Sequence, residues 1–316
     1  MTGSRVVALG HYQPARVLTN EDLAAMVDTS DEWITSRVGI RTRHVGGPDE
    51  PVDELAAHAA AKALASAGLR PAEVDMVLVA TSTAVDRSPS MSARVAARLG
   101  MDSPAVMDIN VVCSGFTHAL ATADHAIRAG AAERVLVIGA DKMGDVADWT
   151  DRSTCVLVGD GAGAAVVVAD RDGADRPGVG PVLWGSVPRM GNAVRIEGTP
   201  PRFAQEGQSV YRWATTQLPP IARKVCERAG VAPEELGAVV LHQANLRIIE
   251  PVARKIGAVN AVIARDVVES GNTSAASVPM ALSKLVERGE VHTGAPVLLF
   301  AFGGNLSYAG QVIRCP

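Results

Sequence analysis

Short runs of β-branched and aliphatic residues alternate along the chain with longer alanine-rich runs whose apolar positions recur at helical spacing. The first kind predicts strands at 75–80, 105–109, 134–139, 164–168, 238–241, 297–300 and 310–313. Runs this uniformly apolar suit sheets covered by helices on both faces, the arrangement of an α/β protein. The second kind predicts helices at 53–67 and 90–99, closed by Gly68 and Gly100 in the position where a left-handed residue ends a helix. The run 208–229 carries Pro219-Pro220, which predicts a kink or a split into two helices.

The order of elements repeats. In the first half, strand 75–80 leads through a helix to Cys113, helix 114–129, strand 134–139 and a glycine-rich turn at 159–163. In the second, strand 238–241 leads through helix 248–256 to Gly271-Asn272-Thr273-Ser274, helix 277–288, strand 297–300 and the turn Gly303-Gly304-Asn305. Two copies of one βα unit predict two pseudo-symmetric halves, 1–173 and 174–316, with the active site between them. The polar, turn-rich stretch 170–178 is the natural boundary. Superposing the copies puts Cys113 and Asn272 at equivalent helix starts.

Composition narrows the function. At 316 residues and 47% hydrophobic, with a mean hydropathy of +0.15, the chain can bury a large core. A net charge of −4 argues against a general nucleic-acid or membrane-surface binder. The four cysteines form no CxxC pair and no metal-ligand spacing with histidine, which predicts reduced thiols in a cytoplasmic protein. Neither a signal peptide nor a run of transmembrane length is expected.

Three residues carry candidate chemistry. Cys113 falls where an apolar strand gives way to a helix, and a thiol at a helix N-terminus meets unsatisfied N–H groups that favour the thiolate. Alone, a cysteine is more often a small buried hydrophobe. His242 directly follows a strand, at the end of the sheet where α/β proteins bind ligands. By itself it reads equally well as structural. Asn272 in isolation reads as a turn or helix cap.

The segments around these residues closely resemble β-ketoacyl-[acyl carrier protein] synthase III, the thiolase-fold condensing enzyme of fatty-acid initiation. They are Asp108 to Leu120 (DINVVCSGFTHAL), Leu241 to Ile249 (LHQANLRII) and Gly271 to Leu282 (GNTSAASVPMAL). The resemblance extends to Thr19 to Leu23, Asp31 to Ile34, Gly39 to Arg41 and Gly159 to Ala165. It implies a thiolase-like α/β fold and a homodimer. It also implies that Cys113 takes the acyl group of an acyl-CoA, with the N–H groups of Cys113 and Gly304 as oxyanion hole. His242 and Asn272 then hold the thioester oxygen of malonyl-[acyl carrier protein] during decarboxylation, beside the apolar ring of Phe302. Trp33 and Arg152 match the residues that sandwich the coenzyme A adenine. Arg37, Asn245 and Arg247 match the lining of the pantetheine tunnel. Arg247, Arg254 and Lys255 fall on one helical stretch and read equally as a basic patch for the acidic carrier protein or as a solvated helix face. No metal or redox cofactor is implied.

Two departures bear on the substrate. Ser88 stands where relatives that prefer acetyl primers carry a bulky aromatic residue reaching across the dimer, which predicts a roomier acyl pocket. Asn305 replaces a glycine of the C-terminal turn, and asparagine tolerates the left-handed backbone that glycine supplies. A second cysteine in that turn, as in thiolases, is absent. So are the Gly-Phe-Gly-Pro-Gly signature of chalcone-synthase-type enzymes and the glutamate base of hydroxymethylglutaryl-CoA synthases near 81–89. The alternatives that remain are a secondary-metabolism relative, which primes a polyketide line or transfers acyl groups to a hydroxyl, amine or carrier protein, and a non-catalytic scaffold. The intact Cys113, His242 and Asn272 argue against the scaffold.

Overall fold

The computed structural model describes residues 3–171 and 178–316. Two five-stranded sheets share one topology. The first runs, in spatial order, Gly3–Tyr12, Asp160–Asp170, Arg134–Lys142, Met76–Ala80, Ala105–Ile109. The second runs Leu183–Gly185, Tyr308–Arg314, Pro296–Phe302, Ala238–Leu241, Val262–Ile263. In each, the first three strands pair antiparallel and the last three parallel. The pseudo-twofold expected from the repeated βα unit is therefore present in the strand order itself.

Burial explains why the central strands Met76–Ala80 and Ala238–Leu241 are apolar throughout. Leu78 and Ala80 face a middle core that also holds Val240 and Leu299 of the second sheet, while Val77 and Val79 face an outer core. Ala238 and Val240 face the middle core, Val239 and Leu241 the other outer one. The helices Gly115–Arg128 and Ser277–Glu287 fill the middle layer, contributing Phe116, Leu120, Val278 and Leu282. Val52–Ala67 covers the outer face of the first sheet, and Gly207–Arg228 with Leu246–Ile256 that of the second. Each fully buried Val or Leu contributes ~1.5–3 kcal/mol, so a strand with two covered faces is strongly specified. The five layers bring the N-termini of the two middle helices, and the C-terminal ends of the parallel strands, to one region.

Several expectations change. Residues 159–163 are not a turn: the strand Asp160–Asp170 begins inside them. Their glycines serve close packing, since a Cβ at Gly163 would lie 2.6 Å from the backbone nitrogen of Met280 in the middle layer. The helix Gly207–Arg228 neither splits nor stops at Pro219-Pro220. Pro219 has no N–H for the Thr215 carbonyl, and Lys255 Nζ supplies the missing donor at 2.7 Å. Thr216, left without its partner by Pro220, lies on the exposed face. The repeat register also shifts. Val112 at φ +48° and Ser274 at φ +50° each open a 3₁₀ turn before a middle helix, so the counterpart of Cys113 is Ala275, not Asn272. The boundary at 173/174 lies outside the described residues. The long first strand Gly3–Tyr12 has no counterpart in the predicted set, because its sequence mixes Gly, His and Arg among the aliphatics.

Gly163→Ala is expected to destabilise the protein by about 1–3 kcal/mol, the usual cost of overpacking against backbone. Denaturant unfolding measures this, and an unchanged midpoint would contradict the packing argument.

Candidate active site

Cys113 sits in the 3₁₀ turn Val112–Ser114, directly before the helix Gly115–Arg128. The left-handed backbone of Val112 is costly for a β-branched residue, about 1–2 kcal/mol, and it reverses the chain just where the thiol must enter the site. Gly303 makes room for that thiol, since a Cβ there would lie 2.8 Å from Cys113 Sγ. The backbone N–H groups of Gly304 and of Cys113 itself both donate toward the sulfur. Asn305 takes the left-handed conformation expected of it, at φ +59°. One expectation is overturned. Cys113 is buried, and loss of solvent pushes the thiol up to about 11, with the Asp141 carboxylate acting in the same direction. Ser274 Oγ at 3.7 Å and the two backbone N–H groups oppose that push without reversing it. At rest Cys113 is therefore held as the thiol.

His242 follows the strand Ala238–Leu241 and is 2% exposed. Burial takes its imidazole down to about 3, so the ring is neutral. Its Nδ1 lies 2.7 Å from Ser277 Oγ, which already accepts the Gln243 N–H at 3.3 Å. Among the described residues the Ser277 hydroxyl has Nδ1 as the acceptor for its own proton. Were Nδ1 protonated instead, that hydroxyl hydrogen would be buried without a partner. The hydrogen-bond inventory thus assigns Nδ1 as acceptor and leaves Nε2–H as the donor. Asn272 is fixed similarly. Its N–H donates to Leu157 O at 2.7 Å, and its carbonyl accepts from Gly159 at 3.1 Å. Its Oδ1 accepts the Ser274 N–H at 2.9 Å, and its Nδ2 has no hydrogen-bond partner among the described residues. Phe302 stands edge-on to His242 with ring centres 5.4 Å apart, and Trp213 stands edge-on to Phe302 at 6.2 Å. A chain of contacts therefore ties His242 through Phe302 and Gly303 to Cys113, and Cys113 through Ser274 to Asn272.

Asn272 also lines a cleft of about 590 Å³, whose walls include Arg37, Asn245, Arg247 and Tyr211. Asn245 Oδ1 caps the helix Leu246–Ile256 by accepting the Arg247 N–H at 2.8 Å, and the Arg247 guanidinium lies 6.0 Å from the Tyr211 ring centre. Trp33 and Arg152 meet directly, the guanidinium 5.3 Å from the ring centre and donating to Asp28 O at 2.6 Å. An adenine between them requires Arg152 to swing off the indole. Arg254 and Lys255 are exposed, but Lys255 Nζ is engaged with Thr215 O and is a brace between two helices. A second cavity, of about 790 Å³, is lined by Val112 and Asn305, next in sequence to Cys113 and Gly304, with Val146, Val194 and Ile196 among its walls. Ser88 is exposed on the loop at its rim and does not line it.

Sequence reading missed Ser274, Ser277, Asp141 and Trp213. Two of them stand inside the Gly271 to Leu282 segment, where small polar residues before a helix read as caps.

Family models described as 3-oxoacyl-[acyl-carrier-protein (ACP)] synthase III, and as the C-terminal part of the same enzyme, match residues 107–186 and 226–315. A Streptomyces avermitilis protein named beta-ketoacyl-[acyl-carrier-protein] synthase III 2 is 82% identical over 316 residues, covering 100% of both chains. The Mycobacteroides abscessus beta-ketoacyl-[acyl-carrier-protein] synthase III is 41% identical, over 98% of this chain and 94% of that one. Among solved structures, the priming beta-ketosynthase from the R1128 polyketide biosynthetic pathway superposes with a TM-score of 0.96 at 39% identity, covering 99% of this chain and 96% of the other. The thiolase-like layout of this chain is theirs.

The tautomer assignment has a spectroscopic consequence. In ¹⁵N-labelled protein, His242 is expected to show a protonated Nε2 and a bare Nδ1, unchanged from pH 8 to pH 5, because its ionisation lies near 3. A midpoint near 6.5, or a protonated Nδ1, would contradict the inventory.

Proposed function

The chain belongs to the 3-oxoacyl-[acyl-carrier-protein] synthase III family of acyl-transferring condensing enzymes, and from that premise we propose that it joins an acyl-CoA primer to malonyl-[acyl carrier protein] by decarboxylative Claisen condensation. Cys113 attacks the primer thioester, and the developing oxyanion meets the N–H groups of Cys113 and Gly304, already aimed at the sulfur. Coenzyme A leaves and the acyl group stays on Cys113. The malonyl thioester oxygen then takes one hydrogen bond from His242 Nε2 and one from Asn272 Nδ2. Phe302 keeps the malonyl carboxylate poorly solvated and favours its loss as carbon dioxide. The enolate carbon attacks the acyl-Cys113 carbonyl and returns a β-ketoacyl-[acyl carrier protein]. The steps are written with a coenzyme A thioester as substrate and draw on no metal or redox cofactor.

One observation carries this reading: two neutral side-chain donors, each locked by a bond on its far side, in one contact chain with a buried thiol between two backbone N–H groups. Arg37 and Arg247 at the cleft support entry of an anionic, phosphate-bearing substrate there. The cavity beside Val112 and Asn305 supports a primer longer than acetyl, or branched. A homodimer is supported by the strand Ala105–Ile109, whose outer edge is unpaired among the described residues and exposes Val106 and Met107, with Val85 86% exposed. In that dimer Ser88 faces the partner's acyl cavity. We place the enzyme in the cytoplasm, beside its coenzyme A substrates. The likeness to a polyketide-priming ketosynthase favours a second reading, in which the product enters a polyketide line rather than fatty-acid synthesis.

Incubation with acetyl-, isobutyryl- and hexanoyl-CoA, read by intact mass, is expected to give an acyl adduct that Cys113→Ala lacks and malonyl-[acyl carrier protein] discharges with carbon dioxide release. An adduct that malonyl-[acyl carrier protein] leaves in place would point to simple acyl transfer. His242→Ala or Asn272→Ala is expected to keep acylation and lose about 10²–10³-fold in decarboxylation, the usual cost of one oxyanion donor.

A further inference from the structure

The proposed oxyanion hole is built from two separate pieces of chain. Cys113 N belongs to the 3₁₀ turn Val112–Ser114, which follows a strand of the first sheet. Gly304 N belongs to the 3₁₀ turn Gly304–Leu306, which follows a strand of the second. Two donors serve one oxygen only at the right separation, and a misplacement of about 1 Å can cost ~10²-fold in rate. Close packing sets the lower limit of that separation. A Cβ at Gly304 would lie 2.5 Å from Val112 Cγ2, and one at Gly303 would lie 2.5 Å from Cys113 Cβ. Contact of this kind stops the turns from approaching but does not stop them from parting.

A pair of buried hydroxyls resists the parting. Ser114 directly follows Cys113, Ser307 lies three residues past Gly304, and their Oγ atoms are 2.8 Å apart. Both side chains are buried. Each hydroxyl also reaches a carbonyl beside its own turn: Ser307 Oγ lies 2.7 Å from Gly304 O, and Ser114 Oγ lies 3.0 Å from Val111 O. A hydroxyl carries one hydrogen, so the protons run in one of two orders. Either Ser114 donates to Ser307 and Ser307 to Gly304 O, or Ser307 donates to Ser114 and Ser114 to Val111 O. In both orders one hydroxyl bonds the other, and the turns stay linked. The Ser307 backbone braces the same place, its carbonyl accepting from Gly303 N at 3.1 Å and its N–H donating to Gly304 O at 3.0 Å. Ser307 therefore holds the peptide groups on either side of the one that carries the Gly304 N–H. Ser114 ties that hold to the residue next to the thiol.

Resting on the acyl-enzyme reading above, we propose that the Ser114–Ser307 hydroxyl pair sets the spacing of the two oxyanion donors and so positions them for acyl transfer to Cys113. Both serines act through the backbone and exchange no proton with the substrate. His242 and Asn272, which face the malonyl thioester, are placed by Ser277 and Ser274 and not by this pair. The pair therefore governs acylation and leaves decarboxylation alone. Removing either hydroxyl orphans no carbonyl, since Gly304 O keeps the Ser307 N–H and Val111 O keeps the Ser114 N–H at 3.3 Å. Alanine variants at both positions therefore keep the fold.

The test is a double-mutant cycle on Cys113 acylation, with the fastest-loading of acetyl-, isobutyryl- and hexanoyl-CoA, read by rapid quench and intact mass. Carbon dioxide release from malonyl-[acyl carrier protein] is measured beside it. Ser114→Ala and Ser307→Ala are each expected to slow acylation at saturating acyl-CoA by about 10-fold, because a displaced donor forfeits part of the ~10²–10³-fold that a deleted one costs. The half-saturating acyl-CoA concentration and the rate of carbon dioxide release are expected to stay within about twofold. The double variant is expected to be no slower than either single one, since the second deletion finds the link already broken. Ser307 has an extended backbone, φ −80° and ψ 152°, which suits a β-branched residue, and Ser307→Thr is expected to keep the full rate. Undiminished acylation in both alanine variants would overturn the pairing, as would a double variant slowed about 100-fold, the product of two independent effects. Equal losses in acylation and carbon dioxide release, the mark of a general loosening of the site, would overturn it too. Absence of any acyl adduct on the unaltered enzyme would instead overturn the acyl-enzyme reading itself.

Discussion

The structure depends on how closely two sheets press on the pair of helices between them. A Cβ at Gly139 would lie 2.3 Å from the Ala275 carbonyl, and one at Gly115 would lie 2.8 Å from Ala80 Cβ. At Gly139 backbone thus meets backbone across the middle layer, and at Gly115 only a methyl group intervenes. Such contacts leave little freedom of position, because interiors packed at crystal-like density transmit any shift. Everything at the site inherits its geometry from that compression. The turns at 112–114 and 274–276 are held against each other, and the ends of the strands Ala238–Leu241 and Pro296–Phe302 deliver His242 and Phe302 beside them.

The second consequence of tight packing is dryness. The thiol, the imidazole and the carboxylate near it are all buried, and desolvation acts on each in the direction of its uncharged form. The thiol stays protonated and the imidazole neutral. Asp141 remains polar through the donors that surround it. A site of this kind works by oriented dipoles rather than by standing charges, and dipoles fixed in advance need no rearrangement as charge develops.

Much of this was legible in the chain. The two-face burial of the strands is written in their uninterrupted aliphatics, and Gly68 and Gly100 end their helices in left-handed geometry as their sequence context predicts. The three candidate side chains, Cys113, His242 and Asn272, stand in segments distinctive enough to be recognised together. What escaped depends on partners distant in sequence. Residues 159–163 read as a turn because glycine is scarce in strands, and the reason for it, Met280, lies more than a hundred positions away. Pro219-Pro220 read as a kink or a split, and the split does not occur because Lys255, on another element, bonds the Thr215 carbonyl. The charge of Cys113 follows from burial depth, which a local helix-start argument does not contain. Ser277 is 35 residues from the histidine it orients, and Ala275 is 134 from the carboxylate it holds.

Val112 and Ser274 share one backbone contortion at matching places in the two halves, yet their surroundings have diverged completely. One copy follows its contorted residue with a nucleophile. The other carries an amide two positions ahead of it and makes the contorted residue itself a hydroxyl. In the proposed reaction the duplicated scaffold divides labour: one copy of the kink presents the thiol that takes the acyl group, and the other stands beside the amide that faces the malonyl thioester. Because the two tasks sit on separate copies, drift in the primer accepted need not disturb the carbon-chain donor.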